Sequence, residues 1–284
     1  MTRRGPRLAI LLALAGCLAA CAAVGPSSSA DGPTNRPATA PSPAASGSIR
    51  LTVYGASSLK AALAAVASAY ATVAPIVTLT VSTGASSALE TQIEQGAPAD
   101  VFLSADVTNP RKLVTDGFAS GTPTPFAGNQ LTIIVPSTNP GNVTSARDLA
   151  RPGLKVIAAG ATVPITTYAN QLVANLAAEA GYPSSFSTAY AANIESRQDS
   201  VAAVVTQIEL GQGDAAIVYV TDAKASTGVA TIDVPADANV PATYAGVVVR
   251  ASTQPVAAAA FLTWLAGPGG QAVLATFGFL PVNG

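Results

Sequence analysis

Apolar residues along this chain recur with two alternating periods. Ile49-Arg50-Leu51-Thr52-Val53 and Val77-Thr78-Leu79-Thr80-Val81 alternate apolar and polar side chains and read as strands. After the first, Leu59, Leu63, Val66 and Tyr70 recur at helical spacing and predict a helix through about residue 72. A helix over 89–94 stops near Gly96, and residues 99–104 read as a short buried strand. Further strands are predicted over 131–135, 154–158, 215–220 and 243–250, with helices over 168–180, 200–210 and 256–265. Repeated strand–helix units with apolar strands predict an α/β fold of mainly parallel sheets covered by helices on both faces. Ligands of such sheets lie beyond the carboxyl ends of the strands.

Two of those carboxyl ends carry Ser-rich turns. The first strand runs into Tyr54-Gly55-Ala56-Ser57-Ser58-Leu59, and the second into Thr83-Gly84-Ala85-Ser86-Ser87-Ala88-Leu89. A strand that turns through small hydroxyl residues into a helix leaves unpaired N–H groups and hydroxyls aimed at one spot. Two such turns facing each other make a neutral cradle of donors suited to a small anion. The simpler reading of Ser58 and Ser86 is the default role of serine before a helix, an N-cap.

The ends of the chain add a location. Arg3, Arg4 and Arg7 precede an apolar stretch over 8–15 that is too short to span a bilayer, so residues 1–21 read as a signal peptide. Both cysteines lie there, and Leu18-Ala19-Ala20-Cys21 and Leu14-Ala15-Gly16-Cys17 each resemble the lipobox of bacterial lipoproteins. Cys21 is the expected lipidation site, with Cys17 as the alternative. Residues 22–48 are rich in Ser, Pro and Ala and read as a disordered tether, because such a segment buries too little surface to offset its ordering entropy. The folded body then lacks thiols, which excludes a disulfide framework, a zinc–thiolate site and a catalytic cysteine.

Composition narrows the chemistry. There is no histidine, so a Ser-His-Asp triad cannot form. Removing Arg3, Arg4 and Arg7 leaves eleven basic residues against fifteen acidic ones. A net charge near −4 with no basic stripe argues against nucleic acid, and an anion must be held by local donors rather than a global positive field. Aromatic residues are only 5% of the chain, so the core is expected to be mainly Ala, Val, Leu and Ile.

Longer motifs then point to one family. Ala56-Ser57-Ser58-Leu59 and the run Gln92-Ile93-Glu94-Gln95-Gly96-Ala97-Pro98-Ala99-Asp100-Val101-Phe102-Leu103-Ser104-Ala105-Asp106 resemble the periplasmic molybdate-binding proteins of ABC importers, within the type II periplasmic-binding-protein superfamily. Gly128-Asn129-Gln130-Leu131, Val163-Pro164, Tyr168-Ala169, Ala216-Ile217-Val218-Tyr219-Val220-Thr221-Asp222-Ala223 and Phe277-Gly278-Phe279 follow in matching order.

The resemblance implies a two-lobed fold with the ligand in the interlobe cleft. One lobe would comprise 49–126 with 235–284, and the other 127–234. It implies molybdate, with tungstate beside it, as ligand rather than cofactor, and no catalysis and no other metal. Ser58, Ser86 and Tyr219 would contact the anion through hydroxyls, Ile165 and Val201 through backbone N–H groups. Implied partners are the permease and ATPase subunits of an importer, reached by a lipid-anchored monomer on the extracytoplasmic face of a bacterial membrane. One motif departs: family members carry Gly two residues after the Pro, where this chain has Pro164-Ile165-Thr166-Thr167. Thr166 or Thr167 would supply an extra hydroxyll there.

Three other readings stand beside this one. The same kind of receptor would serve another tetrahedral oxyanion such as sulfate. Ser57 and Lys60 have the Ser-x-x-Lys spacing of serine acyl-enzymes, but no lysine is followed by Thr to supply their Lys-Thr-Gly element. Asp100, Asp106 and Asp222 suit a metal site by type but are expected to hold loops and helix ends, since carboxylates would repel a dianion. Arg197 is expected to be a solvated helix flank rather than a residue at the pocket mouth.

Overall fold

The computed structural model describes residues 47–282. Cys17, Cys21 and nearly all of the predicted tether lie outside them. The first sheet draws on β1 (Ile49–Ala56), β2 (Val77–Gly84), β3 (Val101–Ser104) and β4 (Ala119–Asn129). Between these strands run α1 (Lys60–Val73), α2 (Ser86–Glu94) and α3 (Thr108–Thr115). The chain then builds a second sheet from β5 (Leu131–Pro136), β6 (Val156–Ala159), β7 (Ile194–Gln198), β8 (Ala216–Tyr219) and β9 (Val229–Ile232). Its helices are α4 (Pro164–Ala178), α5 (Phe186–Ala192), α6 (Val201–Glu209) and α7 (Val220–Lys224). The chain returns through β10 (Ala242–Val249) and closes with α8 (Pro255–Ala266) and α9 (Pro268–Thr276).

The first sheet has strand order β2-β1-β3-β10-β4. In the second, β8-β5-β9 and β6-β7 form two ladders joined by the parallel bridge Val156–Ala215, which gives β7-β6-β8-β5-β9. Each sheet is parallel except for one strand. That strand is β10 in the first sheet and β5 in the second, and each is the strand by which the chain arrives from the other sheet. The changes of sheet fall between Asn129 and Leu131 and between Ile232 and Ala242.

The helical periodicity of α1 arises from burial. Leu63, Val66 and Tyr70 point into the core, where Tyr70 packs edge-on against Phe261 at 5.0 Å. β1 can lie directly beneath this helix because Gly55 has no Cβ; one would stand 2.5 Å from Leu63 Cδ1. The chain end is tied back by a two-way backbone pairing of Gly128 with Leu280, at 2.7 and 2.8 Å. Phe279 thereby meets the edge of Tyr244 at 5.4 Å. Among the described residues no single helix is long and apolar enough to cross a membrane.

Several elements differ from the sequence expectation. Helix α4 begins at Pro164 rather than 168, since proline suits a first helical position. Strand β4 carries Gly121, Pro123 and Pro125 and gives no strand signal, yet an edge strand tolerates proline because one side of its backbone needs no partner. Helix α9 starts Pro-Gly-Gly and owes its form to packing on α8 and α1.

That last packing is tight enough to test. A Cβ on Gly270 would lie 2.2 Å from the Leu265 carbonyl oxygen and 2.4 Å from its Cα, backbone atoms that cannot rotate away. Gly270→Ala is therefore expected to cost about 1–3 kcal/mol despite the better helix propensity of alanine. Urea denaturation measures it, and an unchanged midpoint would show that the α8–α9 corner relaxes freely.

Candidate functional site

The register of the first sheet sets the site. β1 pairs with β2 in parallel from Ile49–Val77 to Ala56–Gly84, so both Ser turns leave the sheet side by side. β3 flanks β1 on its other side, with Leu103 opposite Gly55, and delivers Ala105 to the same edge. The second sheet repeats this with β7-β6-β8. β6 leads to Pro164 at the start of α4, β7 to Val201 at the start of α6, and β8 ends on Tyr219. A cavity of about 10 Å³ lies where the two sets of turns meet. Ser58, Ser86, Ile165, Val201 and Tyr219 all line it, together with small residues such as Ala56, Ala85 and Ala105.

Neither serine caps its helix. Ser86 is the first residue of α2, whose N-cap is Ala85. Its Oγ instead accepts the Ala105 backbone N–H at 3.1 Å. Ser58 sits in a 3₁₀ turn, Ser57–Leu59, that leads into α1, and shares a 2.8 Å hydrogen bond with the Tyr244 hydroxyl. Val201 opens α6 behind Ser200, which does cap, accepting the Ala203 N–H at 3.2 Å. Ile165 and Val201 lie in first turns, where a helix leaves its N–H groups without intrahelical acceptors and with the positive end of its dipole. The glycine-free turn is braced differently from expectation. The Thr166 hydroxyl donates to the Ala159 and Gly160 carbonyls at 3.1 and 2.8 Å, so it adds no donor to the cavity. Thr167 faces a larger outer cleft of about 850 Å³ instead.

No residue lining the cavity is charged. Among the described residues, Tyr219 Oη and Asp222 Oδ2 are the buried side-chain atoms without a hydrogen-bond partner. Burial pushes the Tyr219 phenol well above its usual range, so it stays protonated and can donate. Asp222, three residues on, is also buried. Desolvation pushes its carboxyl up to about 7, although the Tyr219 backbone N–H pulls the other way.

The other two aspartates of the motifs, Asp100 and Asp106, serve the framework. Asp100 accepts from the Thr52 N–H at 2.7 Å and the Ser252 hydroxyl at 2.5 Å. Asp106 accepts from the Ser104 hydroxyl and the Asn109 N–H and side-chain amide. No group of three or more His, Cys, Asp or Glu that could hold a metal occurs among the described residues. Arg197 is neither at the cavity nor on a helix flank. It lies in β7, and its guanidinium donates to the Ala159 carbonyl at 3.0 Å. Lys60 is exposed and lies with Ser57 along a separate groove behind the cavity.

Sequence reasoning missed Tyr244. Its hydroxyl is fully buried between Ser58 and Asn129, and Asn129 also donates to Thr221 at 2.8 Å. A tyrosine in a strand of Ala, Gly and Val reads as core, and its partners are more than a hundred residues distant.

The bacterial extracellular solute-binding proteins match this chain over residues 51–280. The chain belongs to that family. It is 32% identical over 247 residues to the molybdate-binding protein ModA of Mycobacterium tuberculosis, covering 87% of this chain and 90% of that one. It is 30% identical over 233 residues to YvgL of Bacillus subtilis, a putative ABC transporter substrate-binding lipoprotein, covering 81% and 86%. The solved molybdate-binding protein of Azotobacter vinelandii superposes with a TM-score of 0.68 at 26% identity, covering 81% of this chain and 98% of that one. The fold is thus the two-lobed type II periplasmic-binding-protein fold, in the family of ABC-transporter substrate-binding proteins that includes molybdate binders. These relatives are solute-binding proteins rather than enzymes, and the family is extracytoplasmic.

Two outcomes follow from the unpartnered atoms. A buried hydroxyl without a partner costs about 1–3 kcal/mol. Tyr219→Phe should therefore leave the ligand-free protein as stable as before, or up to about 1 kcal/mol more stable, in urea denaturation. A loss beyond about 1 kcal/mol would show that the hydroxyl is bonded.

For Asp222, the folded pKa of about 7 lies above the ordinary value of 3.8, so the folded state binds more protons between them. Its contribution is fully favourable at low pH and is lost as pH rises through about 7. Asp222→Asn should remove that decline and raise stability above neutrality by ~2 kcal/mol, about 4–8 °C in Tm for a chain of this size. Equal Tm–pH curves for the two proteins would overturn the assignment.

Proposed function

We propose that this chain is the substrate-binding component of an ABC importer that captures molybdate, and tungstate with it. It is a receptor and not an enzyme. The observation that carries the reading is the convergence of Ser58, Ser86, Ile165, Val201 and Tyr219 on one uncharged cavity in a relative of molybdate-binding proteins. A fully deprotonated tetrahedral dianion offers only acceptors, and each of these groups offers a donor. Hydrogen bonds to a charged acceptor contribute about 1.5–3 kcal/mol each, so a handful offset the desolvation of the ion. The first-turn amides of α4 and α6 add aligned dipoles without a counter-charge.

In this reading residues 49–126 with 235–284 form one lobe and 127–234 the other, and they close on the anion about the two crossings between sheets. The closed form docks on the permease of an importer whose other component is the ATPase. The receptor works as a monomer held to the extracytoplasmic face of the membrane through a lipid on Cys21, or on Cys17. The lipoprotein relative in Bacillus subtilis supports that arrangement.

Calorimetric titration of the full chain with molybdate, tungstate, sulfate and phosphate tests the ligand. Heat and thermal stabilisation with molybdate and tungstate are expected, with sulfate weaker and phosphate weakest. Response to sulfate but not molybdate would move the assignment to another oxyanion. Ser86→Ala should weaken molybdate binding at least about tenfold, the equivalent of one lost charged hydrogen bond. Unaltered affinity in that variant would remove Ser86 from the site.

A further inference from the structure

The two serines at the cavity are held in different ways. Ser86 Oγ accepts the Ala105 N–H, and a backbone amide can only donate, so the serine keeps its own proton for the cavity. Ser58 has no such amide. Its partner is the Tyr244 hydroxyl at 2.8 Å, a pair in which either oxygen can donate.

The direction is fixed one step further back. The Gln130 N–H donates to Asn129 Oδ1 at 3.0 Å, which turns the amide nitrogen of Asn129 the other way. That nitrogen donates to Thr221 Oγ1 at 2.8 Å and to Tyr244 Oη at 3.3 Å. The Tyr244 oxygen accepts there, and of its two hydrogen-bond partners only Ser58 Oγ can accept in turn, which assigns the Tyr244 proton to Ser58. Asn129, Tyr244 and Ser58 are all buried, at 1%, 0% and 6% exposure, so bulk water does not compete for these bonds. Burial also keeps the Tyr244 phenol well above its usual range, so the proton stays in place at neutral pH.

We propose that Tyr244 and Asn129 are positioning residues that make Ser58 an obligate donor toward the cavity, and thereby set selectivity for fully deprotonated tetrahedral dianions over hydrogenphosphate. The proposal rests on reading the cavity as the molybdate site. Hydrogenphosphate carries an O–H that needs an acceptor. A serine hydroxyl free to rotate can turn its lone pairs to the ligand, whereas one that spends a lone pair on Tyr244 outside the cavity is left to aim its proton into it. Burying an O–H against donors leaves it unpaired, which is the strongest form of rejection that hydrogen bonding offers.

The test is calorimetric titration of the full chain and of Tyr244→Phe with molybdate, with phosphate affinity read by competition near neutral pH. The wild type should bind molybdate and hold phosphate far more weakly. Tyr244→Phe should lose about tenfold in molybdate affinity while phosphate affinity holds or rises, so the ratio narrows at least about tenfold. A folded variant with an unchanged ratio, including one in which both ions weaken equally, overturns the proposal.

Phe279→Leu trims the ring packed against Tyr244 but spares the hydroxyl, and should keep the wild-type ratio. Equal narrowing there would assign the effect to packing and overturn the proposal. If Tyr244→Phe does not fold, Asn129→Asp replaces it. A carboxylate at 129 only accepts and draws the Tyr244 proton away from Ser58, so the ratio should again narrow, and an unchanged ratio overturns the proposal. A wild-type chain that binds no molybdate defeats the underlying reading before any variant is compared.

Discussion

The in-register parallel pairing of β1 with β2 is the constraint on which the site depends. Because Ala56 stands opposite Gly84, the turns that follow both strands open at one edge of one sheet. A slip of one residue would reverse the faces of every side chain along β2 and carry Ser86 away from Ala105. The second sheet imposes the same condition through β7, β6 and β8, whose carboxyl ends supply Val201, the Pro164–Ile165 turn and Tyr219. Parallel strands all end in the same direction, so a set of three concentrates three helix starts in one place. The single antiparallel strand in each sheet is the consequence of crossing: a chain that leaves one sheet at the cleft must enter the other running away from it.

Convergence of this kind suits a charged ligand only because the donors are neutral. A lysine or arginine in a cavity this enclosed would require a buried counter-charge whenever the anion left. Hydroxyls and first-turn amides carry no such requirement, and each is individually inexpensive to leave half-satisfied. Tyr219 is the exception, with a hydroxyl that is wholly buried and unpartnered. An unpartnered buried hydroxyl costs local stability at that atom, which fits the binding role proposed for Tyr219 better than a packing role.

Much of the fold was legible because strand alternation and helical spacing reflect burial directly. Leu63, Val66 and Tyr70 are core residues of α1 as their spacing predicts. The elements that escaped detection are those whose form comes from neighbours. β4 is a proline-bearing edge, and α9 begins with residues that resemble a loop. At the site, Ser58 and Ser86 were legible through local motifs, each in a turn after a strand, whereas Ile165, Val201 and Tyr219 were expected only through the family resemblance. Tyr244 and Asn129 were legible in neither way, because their roles exist only through contacts across the molecule. Sequence motifs therefore expose groups that point at a ligand sooner than groups that orient them. The expectation for Thr166 failed for a related reason: without glycine at that turn, its hydroxyl is drawn back to the Ala159 and Gly160 carbonyls.

The same buried network also joins the two crossings between sheets to the cavity. Asn129 is the last residue of β4 before the chain crosses to the second sheet, and Tyr244 lies in the strand by which it returns. Tyr244 bonds Ser58 from the first sheet's edge and meets the ring of Tyr219 from the second at 5.6 Å. An approach of the two lobes that buries the Tyr219 hydroxyl without a partner is opposed by the desolvation of that group. An anion that accepts from Tyr219 removes the opposition and adds bonds to both sides at once. A ligand can shift a conformational equilibrium only by its difference in affinity for the two states. In the proposed reading that difference would reside in the Tyr219 hydroxyl, which is buried without a partner and which a bound anion would satisfy, so closure would depend on the right ligand without any charged latch.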